Sequence, residues 1–366
     1  MRLLIINTNP VGSDGVTNVI RNLFSKMNKA ELQTDIVVVN EPNESFRKMF
    51  EDENGKVFIV PRSTKHSFRY IFELKKIIKN GKYDVIHAHG NSATMALEML
   101  AAWLAGCKVR IGHSHNTTCV YKRAHHLLKP LFLLLCTHRL ACGEEAGRWL
   151  FGKKPFWVVK NGVDTMRFAF SSSARALIRH QYGIDEGQKL IVHVGLFFKR
   201  KNQSFIVDMM PHLSHSYKLM LIGEGDTLPI VLNKAAEMGL QDRVIFVGVT
   251  DRVEDYLSAS DLAVMASLYE GLPLTLVEQQ TSGLPCISSE NITREVNITG
   301  EVKFLSLDLG AEAWADAVTA LTLPENREDA SAQAIEKIKA NGYDIYAEAE
   351  KLRQYYFDAV EKAKRK

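Results

Sequence analysis

The sequence lacks the features of a secreted protein, of a membrane-spanning protein and of a protein stabilised by structural metal ions. It has five cysteines among 366 residues, an odd number, and no two of them are separated by two residues. This argues against a disulfide framework and a structural zinc site. The longest apolar run, Leu127 to Cys136, contains Lys129 and Pro130 and falls short of the roughly 18 residues of a membrane span. The N-terminus is too weakly apolar for a signal peptide. We therefore expect a cytoplasmic protein.

Charge is unevenly distributed along the chain. Residues 1–163 contain 24 basic and 13 acidic residues, whereas residues 164–366 contain 22 and 29. A basic half predicts contact with something anionic, either a membrane surface, a phosphorylated acceptor or nucleic acid. Attraction between the two halves explains the asymmetry equally well. Because no nucleic-acid recognition motif is present, we expect no nucleic-acid partner.

Short apolar strands alternate with helical segments in both halves. Examples are Leu3–Ile6 and Val109–Gly112 in the first half, and Leu190–Val194 and Lys218–Ile222 in the second. Continuous apolar strands separated by helices are typical of parallel sheets covered on both faces. We predict two Rossmann-like domains, over residues 1–163 and 164–341. A helix over residues 342–366 is expected to pack back on the first domain. Ligands of such sheets bind beyond the carboxyl ends of the strands.

The segment Tyr269-Glu-Gly-Leu-Pro-Leu-Thr-Leu-Val-Glu278 carries two glutamates, one in a Gly/Pro loop after a strand and one in the following helix. Backbone N–H groups at such a helix start suit a phosphate. Carboxylates there would repel phosphate, so we expect them to bind hydroxyl groups of a sugar or ribose. An ordinary strand–loop–helix with an N-terminal glutamate is the alternative for the two glutamates alone.

Four further segments carry motifs, three before this one in the chain and one after it. They are His113-Ser-His-Asn-Thr117, Cys142-Gly-Glu-Glu-Ala-Gly-Arg-Trp-Leu-Phe-Gly152, Asn161-Gly-Val-Asp164 and Ser282-Gly-Leu-Pro-Cys286. With the two glutamates, they resemble retaining glycosyltransferase family 4, and most closely the bacterial exopolysaccharide and capsule enzymes. The resemblance covers nearly the whole chain. It implies the GT-B fold, an α/β architecture of two Rossmann-like parallel-sheet domains facing a central cleft.

The resemblance assigns the donor site to the second half. Glu278 would bind the ribose hydroxyls, and Glu270 would contact the donor sugar as a catalytic residue. Backbone groups of Gly271, Leu272, Pro273, Leu274 and Thr275 would hold the sugar and the distal phosphate. Glu224, in Gly223-Glu-Gly225, and Val249 would line the nucleotide pocket. Pro273 replaces a common glycine, which removes one N–H donor.

The segment Gly195-Leu-Phe-Phe-Lys-Arg-Lys-Asn202 resembles the family's diphosphate-binding element. Lys201 matches its catalytic lysine, but Leu196 stands where arginine is usual. Lys199 or Arg200 is a candidate substitute. The alternative is a solvated basic loop that caps a helix.

The first half would supply a phosphate-contacting loop and histidines. Gly15 matches a family glycine, although Asp14 and Thr17 replace commoner residues. His115 best matches the active-site histidine, and an imidazole suits acid–base chemistry near neutrality. His87 and His113 are assigned to the acceptor side, with a structural role as an alternative. Because no third ligand is evident nearby in sequence, no metal is expected at these histidines.

The chain contains no Asp-x-Asp, the pair that holds a metal ion in glycosyltransferases of the other major fold. We therefore expect no metal or cofactor, and charge stabilisation by cations and helix N-termini. The expected reaction moves a sugar from a nucleotide-sugar donor, for which the resemblance favours a UDP-sugar, to an oligosaccharide or polyprenyl-diphosphate-linked acceptor, with peripheral contact at the inner membrane face. Alternatives are a nucleotide-sugar 2-epimerase of the same fold and a non-catalytic sugar-binding protein.

Overall fold

The computed structural model describes residues 1–12, 15–62 and 67–365. These residues form two compact units. Unit 1 comprises Met1–Gly162 together with Ile345–Lys366, and unit 2 comprises Val163–Asp344. The sequence-based boundaries fall after residues 163 and 341. The chain therefore leaves unit 1 once and returns to it at its C-terminal end.

Unit 1 contains a seven-stranded sheet in the order β3-β2-β1-β4-β5-β6-β7. Its strands are β1 (Arg2–Asn7), β2 (Gln33–Val38), β3 (Val57–Ile59), β4 (Val85–Gly90), β5 (Val109–Ser114), β6 (His138–Ala141) and β7 (Trp157–Val158). Its helices are α1 (Gly15–Lys26), α2 (Glu44–Glu51), α3 (Ser67–Gly81), α4 (Ala96–Leu104), α5 (Lys122–Leu135), α6 (Glu144–Phe151) and α14 (Ile345–Lys364). The paired strands are parallel, which the helix between successive strands makes possible.

Alternate residues of β1 enter two different apolar clusters, one on each face of the sheet. Leu3 and Ile5 join the cluster formed with α1 and α14, whereas Leu4 and Ile6 join the cluster formed with α3, α4 and α5. This explains why the strand is apolar at consecutive positions, since neither face meets water.

Helix α14 covers the unit 1 sheet on the same face as α1. Its buried residues recur at helical spacing and form one stripe: Ile345, Ala349, Leu352, Tyr356 and Ala359. Arg353, on the same helix, donates a hydrogen bond to the carbonyl of Ala30, 2.8 Å away. The last helix of the chain is thus part of the N-terminal unit.

Unit 2 contains a six-stranded sheet in the order β10-β9-β8-β11-β12-β13, again with parallel neighbours. Its strands are β8 (Lys189–Val194), β9 (Tyr217–Ile222), β10 (Val244–Gly248), β11 (Leu262–Met265), β12 (Cys286–Ser289) and β13 (Val302–Leu305). Its helices are α7 (Ser172–Gln181), α8 (Gln203–Met209), α9 (Leu228–Glu237), α10 (Val253–Ala259), α11 (Leu274–Thr281), α12 (Gly310–Thr319) and α13 (Arg327–Ala340). Two apolar clusters cover its faces.

The two parallel α/β sheets match the Rossmann-like prediction made from the sequence. Within the described residues, no helix combines the length and the apolarity needed to cross a membrane.

Candidate active site

The predicted donor residues of unit 2 lie in loops at the carboxyl ends of its strands. Gly195 follows β8, Glu224 follows β9, Val249 follows β10 and Glu270 follows β11. Since the strands are parallel, these loops share one edge of the sheet. Main-chain hydrogen bonds join them: the N–H of Gly223 donates to Gly248, 2.9 Å away, and the N–H of Gly195 donates to Ile222, also 2.9 Å away.

The two glycines of Gly223-Glu-Gly225 are needed for this loop packing. Gly223 has φ +136°, and a Cβ there would lie 2.3 Å from the carbonyl oxygen of Gly195. Gly225 has φ +143°, and a Cβ there would lie 2.6 Å from the carbonyl oxygen of Phe197. Both conformations suit only glycine. The side chains of Glu224 and Val249 are exposed at this edge.

A cluster of three charged side chains occupies the centre of the edge. One carboxylate oxygen of Glu270 lies 2.7 Å from Nη1 of Arg200, and the other lies 2.7 Å from Nζ of Lys201. The side chains of Glu270 and Lys201 are only 8% and 10% exposed. Lys199 is exposed, and among the described residues no ion pair joins it to Glu270. Arg200 and Lys201 thus share one carboxylate, that of Glu270.

Local backbone geometry directs Lys201 into the cluster. A short 3₁₀ turn over Lys199–Lys201 ends at Asn202, whose φ of 56° is left-handed and precedes α8. The Lys201 side chain then crosses Gly195, where a Cβ would lie 3.3 Å from its Cε. His193 lies beneath, with Nδ1 2.9 Å from the carbonyl of Val264, and burial lowers its pKa to about 4. Lys201 thus lies near the neutral imidazole of His193 and pairs with the carboxylate of Glu270.

Glu278 lies on α11, within its second turn. Burial raises the pKa of its carboxyl to about 7, opposed by nearby Arg167 and reinforced by Glu254. Arg167 itself donates to Glu254 over 3.0 Å. Ionising this carboxylate is costly in the empty site. Hydroxyl donors would stabilise the ionised carboxylate, because hydrogen bonds to the charged form of a group favour that form.

The start of α11 offers main-chain donors next to the cluster. Pro273 is the N-cap residue, and the helix begins at Leu274. The N–H groups of the first helical turn have no helical carbonyl partners, so those of Leu274 and Thr275 suit an anion or a sugar oxygen. Gly271 and Leu272 connect this turn to Glu270.

In unit 1, four histidines gather on β4 and β5. His87 and His89 lie on β4, His113 lies on β5, and His115 is the first residue after β5. His89 lies opposite His113 in the register. Nε2 of His87 is 3.2 Å from Nδ1 of His113, and Nδ1 of His89 is 2.9 Å from Nε2 of His115. Two strands that each carry His-x-His thus build one stacked cluster.

The two residues assigned to the acceptor side, His87 and His113, are fully buried. Nδ1 of His87 lies 2.6 Å from the hydroxyl of Tyr356 on α14. Burial and the neighbouring imidazoles lower the pKa of each ring well below its usual value. These two histidines act as neutral, hydrogen-bonded core groups.

His115 is partly buried at the end of β5, and burial lowers its pKa to about 3. It therefore acts as a neutral hydrogen-bonding group near neutrality. One nitrogen each of His87, His89 and His113 lie within 4.8 Å of one another, close enough to share an ion. Two of these rings already hydrogen-bond each other.

The glycine loop of unit 1 is described only in part. Gly15 is the exposed first residue of α1, whereas Ser13 and Asp14 lie outside the described residues. Thr17 is fully buried and lies 3.3 Å from the side-chain nitrogen of Asn7. Thr17 therefore joins α1 to the end of β1.

Two family models match this chain. The model of "Glycosyltransferase Family 4" matches residues 13–167, and that of "Glycosyl transferases group 1" matches residues 174–354. EpsF of Bacillus subtilis is 33% identical over 321 residues, which cover 83% of either chain. This chain belongs to glycosyltransferase family 4. The expectation of a glycosyltransferase is thereby confirmed.

Two further similarities support the fold and the family. The UDP-Gal:alpha-D-GlcNAc-diphosphoundecaprenol alpha-1,3-galactosyltransferase of Escherichia coli is 25% identical over 332 residues, covering 84% of this transferase and 85% of that protein. The crystal structure of HepE from Anabaena in complex with UDP superposes with a TM-score of 0.78 at 14% identity, covering 98% of this chain and 100% of that one. The transferase therefore has the GT-B fold.

Sequence reasoning missed three features of these two sites. The ion pairs of Arg200 and Lys201 with Glu270 join segments 70 residues apart. Tyr356 reaches the histidine cluster from the last helix. Arg167 lies beside Glu278, although no motif singled it out. The His-x-His repeat was the one visible signal for the histidine cluster of this transferase.

Proposed function

We propose that this family 4 transferase moves a sugar from a UDP-sugar to a hydroxyl of a polyprenyl-diphosphate-linked oligosaccharide, with retained anomeric configuration, during synthesis of a surface polysaccharide. The observation that carries the donor half is the pair of cations, Arg200 and Lys201, held on Glu270 at the strand ends of unit 2. The named activity of the Escherichia coli relative and the UDP bound to HepE support the same substrates.

The diphosphate of the donor would take the place of the Glu270 carboxylate between the two cations. A nearly buried ammonium such as that of Lys201 requires an anion, and Glu270 supplies it while the site is empty. Arg200 and Lys201 would then stabilise the negative charge that grows on the departing nucleoside diphosphate. No metal ion or cofactor is needed in this scheme.

The two glutamates would bind hydroxyl groups once the donor is in place. Glu270, released from the cations, lies next to the first turn of α11 and would contact the donor sugar. Glu278 would accept hydrogen bonds from the ribose hydroxyls, which offset the cost of burying its charge. Both roles require carboxylates rather than amides.

For the acceptor, His115 is the group of unit 1 proposed to reach the reacting sugar. Its depressed pKa makes it a neutral hydrogen-bonding partner rather than a general acid. The departing phosphate oxygen would accept the proton of the attacking hydroxyl on the same face of the sugar. The coupling constant of the anomeric proton in the product would test retention.

Peripheral membrane contact is proposed through one face of unit 1. Helices α3, α4 and α5 pack on the same side of the sheet. They expose apolar side chains beside basic ones: Phe68, Phe72, Trp103, Leu127 and Leu134, with Lys76, Lys79, Lys122 and Arg123. Apolar groups flanked by cations suit an anionic lipid surface. This face would bring the enzyme to a lipid-linked acceptor at the cytoplasmic side of the membrane.

A screen of nucleotide sugars tests the donor proposal. Melting temperature and nucleotide release are measured for UDP-, GDP-, ADP- and TDP-sugars, each with EDTA and with magnesium. We expect one UDP-sugar to raise the melting temperature by several degrees and to release UDP slowly in EDTA. Stabilisation by another nucleotide class, or release that requires magnesium, would contradict the proposal.

A further inference from the structure

His115 is attached to β4 by both its main chain and its side chain. Its N–H donates to the carbonyl of Gly90 over 3.2 Å, and its Nε2 lies 2.9 Å from Nδ1 of His89. The other ring nitrogen, Nδ1, is buried and has no partner in the described parts of the chain. A buried polar atom without a partner indicates a place for a ligand atom or a water.

His89 itself is 2% exposed. Its ring lies 4.0 Å from that of His87 and 5.0 Å from that of His113, measured between centroids, and is tilted by 31° and 37° to them. His87 is fixed in turn by Tyr356, whose hydroxyl is 2.6 Å from its Nδ1. The ring that contacts His115 therefore has little rotational freedom.

We propose that His89 is a positioning residue. Nδ1 of His89 fixes the rotamer and the tautomer of His115 by its hydrogen bond to Nε2 of His115, which leaves Nδ1 of His115 for the reacting sugar. A neutral imidazole has one donor and one acceptor nitrogen, so a hydrogen bond at Nε2 decides which role Nδ1 plays. This inference rests on the proposed role of His115. Loss of His89 would remove the side-chain hydrogen bond of His115 and leave its ring the contact with His113, whose centroid is 4.2 Å away.

Two substitutions of His89 separate positioning from packing. Asparagine places an amide group where Nδ1 lies, and leucine fills the space without a polar atom. We expect His89→Leu to lower kcat by about 10- to 100-fold, because small misplacements of a reacting group cost that much. His89→Asn is expected to keep most of the activity. UDP affinity, which depends on unit 2, is expected to change by less than about twofold in either variant.

A double-mutant cycle with His115→Ala is the decisive measurement. If His89 acts only through His115, His89→Leu has no further effect on kcat in the His115→Ala background. An equal loss in both backgrounds would overturn the inference. If His115→Ala alone leaves kcat unchanged, the proposed role of His115 fails, which is a different result.

Two controls keep the test interpretable. Tyr356→Phe removes the hydroxyl that contacts His87 but leaves the contact between His89 and His115, so it is expected to lower kcat less than His89→Leu does. If His89→Leu does not fold, His89→Gln replaces it, since glutamine presents its amide near the Nε2 position. Equal kcat values for His89→Asn and His89→Gln would contradict positioning through Nδ1.

Discussion

Arg200 places Nη1 2.7 Å from Oε2 of Glu270, in a chain that has leucine at position 196, where the family element has arginine. Lys199, its neighbour in sequence, is exposed. We predict that Arg200→Leu weakens UDP binding by about tenfold, whereas the matched variant Lys199→Leu changes it by less than about twofold. Titration calorimetry with UDP measures both. Equal losses in the two variants would show that this loop acts only by its total charge.

Glu270 is predicted to compete with the diphosphate for the two cations. Glu270→Gln removes that competitor, so UDP is expected to bind about three- to tenfold more tightly. Turnover of the nucleotide sugar is expected to fall, because an amide binds the sugar hydroxyls less well. Glu237→Gln, at an exposed position of α9, is the control. Weaker binding of UDP to Glu270→Gln would contradict the exchange of anions.

Glu278 gives the transferase a pH dependence whose sign follows from its raised pKa. The carboxyl titrates at about 7 in the folded chain and at 4.5 as a free group. The folded state therefore holds this proton more tightly, and the free energy of unfolding contributed by Glu278 falls as pH rises through this window. At pH 8, the free energy of unfolding of Glu278→Gln is expected to exceed that of the wild type by about 1–2 kcal/mol. This figure is smaller than the full pKa shift would give, because the carboxylate is partly exposed and solvent screens its charge.

The affinity for a nucleotide sugar should change with pH in the opposite direction to the free energy of unfolding. Ribose hydroxyls donate to the ionised carboxylate, so affinity for a nucleotide sugar is expected to rise between pH 6 and 8, and Glu278→Gln is expected to bind weakly at both values. A nucleotide sugar is used because its substituted diphosphate does not titrate in this range. An unchanged pH dependence in Glu278→Gln would assign the effect to another group.

The apolar and basic face of unit 1 predicts lipid binding. Leu127 and Leu134 on α5 are 80% and 78% exposed, so replacing both with serine removes apolar surface without disturbing the core. We expect this variant to float with anionic liposomes at least fivefold less than the wild type. The control is Leu177→Ser with Leu309→Ser, two exposed leucines of unit 2. Equal flotation of both variants, or none by the wild type, would exclude this face.

The architecture follows largely from the sequence, because buried parallel strands are apolar at consecutive positions. Leu3–Ile6 and Leu190–Val194 illustrate this. The sequence patterns did not predict β6, in which His138 and Arg139 interrupt the apolar character, β7, which has only two residues, or β13, in which Lys303 is exposed. Short strands take their conformation from the neighbours with which they pair, which no local pattern reveals.

The candidate sites were predictable only in part. Family motifs placed Lys201 and Glu270 in loops that follow strands, and Glu278 in the helix after the second loop. Such loops lie next to each other in a parallel sheet. Arg200, rather than Lys199, pairs with Glu270, and both lie in a turn that ends at the left-handed Asn202, which no motif reveals. The burial of His87 and His113 depends on where α14 packs, since Tyr356 comes from the far end of the chain.

Transfer of a radiolabelled sugar to a synthetic polyprenyl-diphosphate-linked saccharide tests the central claim most directly. The assay compares wild type, Lys201→Ala and Glu278→Ala in EDTA, using the UDP-sugar that binds. We predict a labelled lipid-linked product from the wild type and a loss of at least about 100-fold in both variants. Full transfer by both variants, or release of UDP and free sugar with no labelled lipid, would contradict the proposed donor site or the proposed acceptor, respectively.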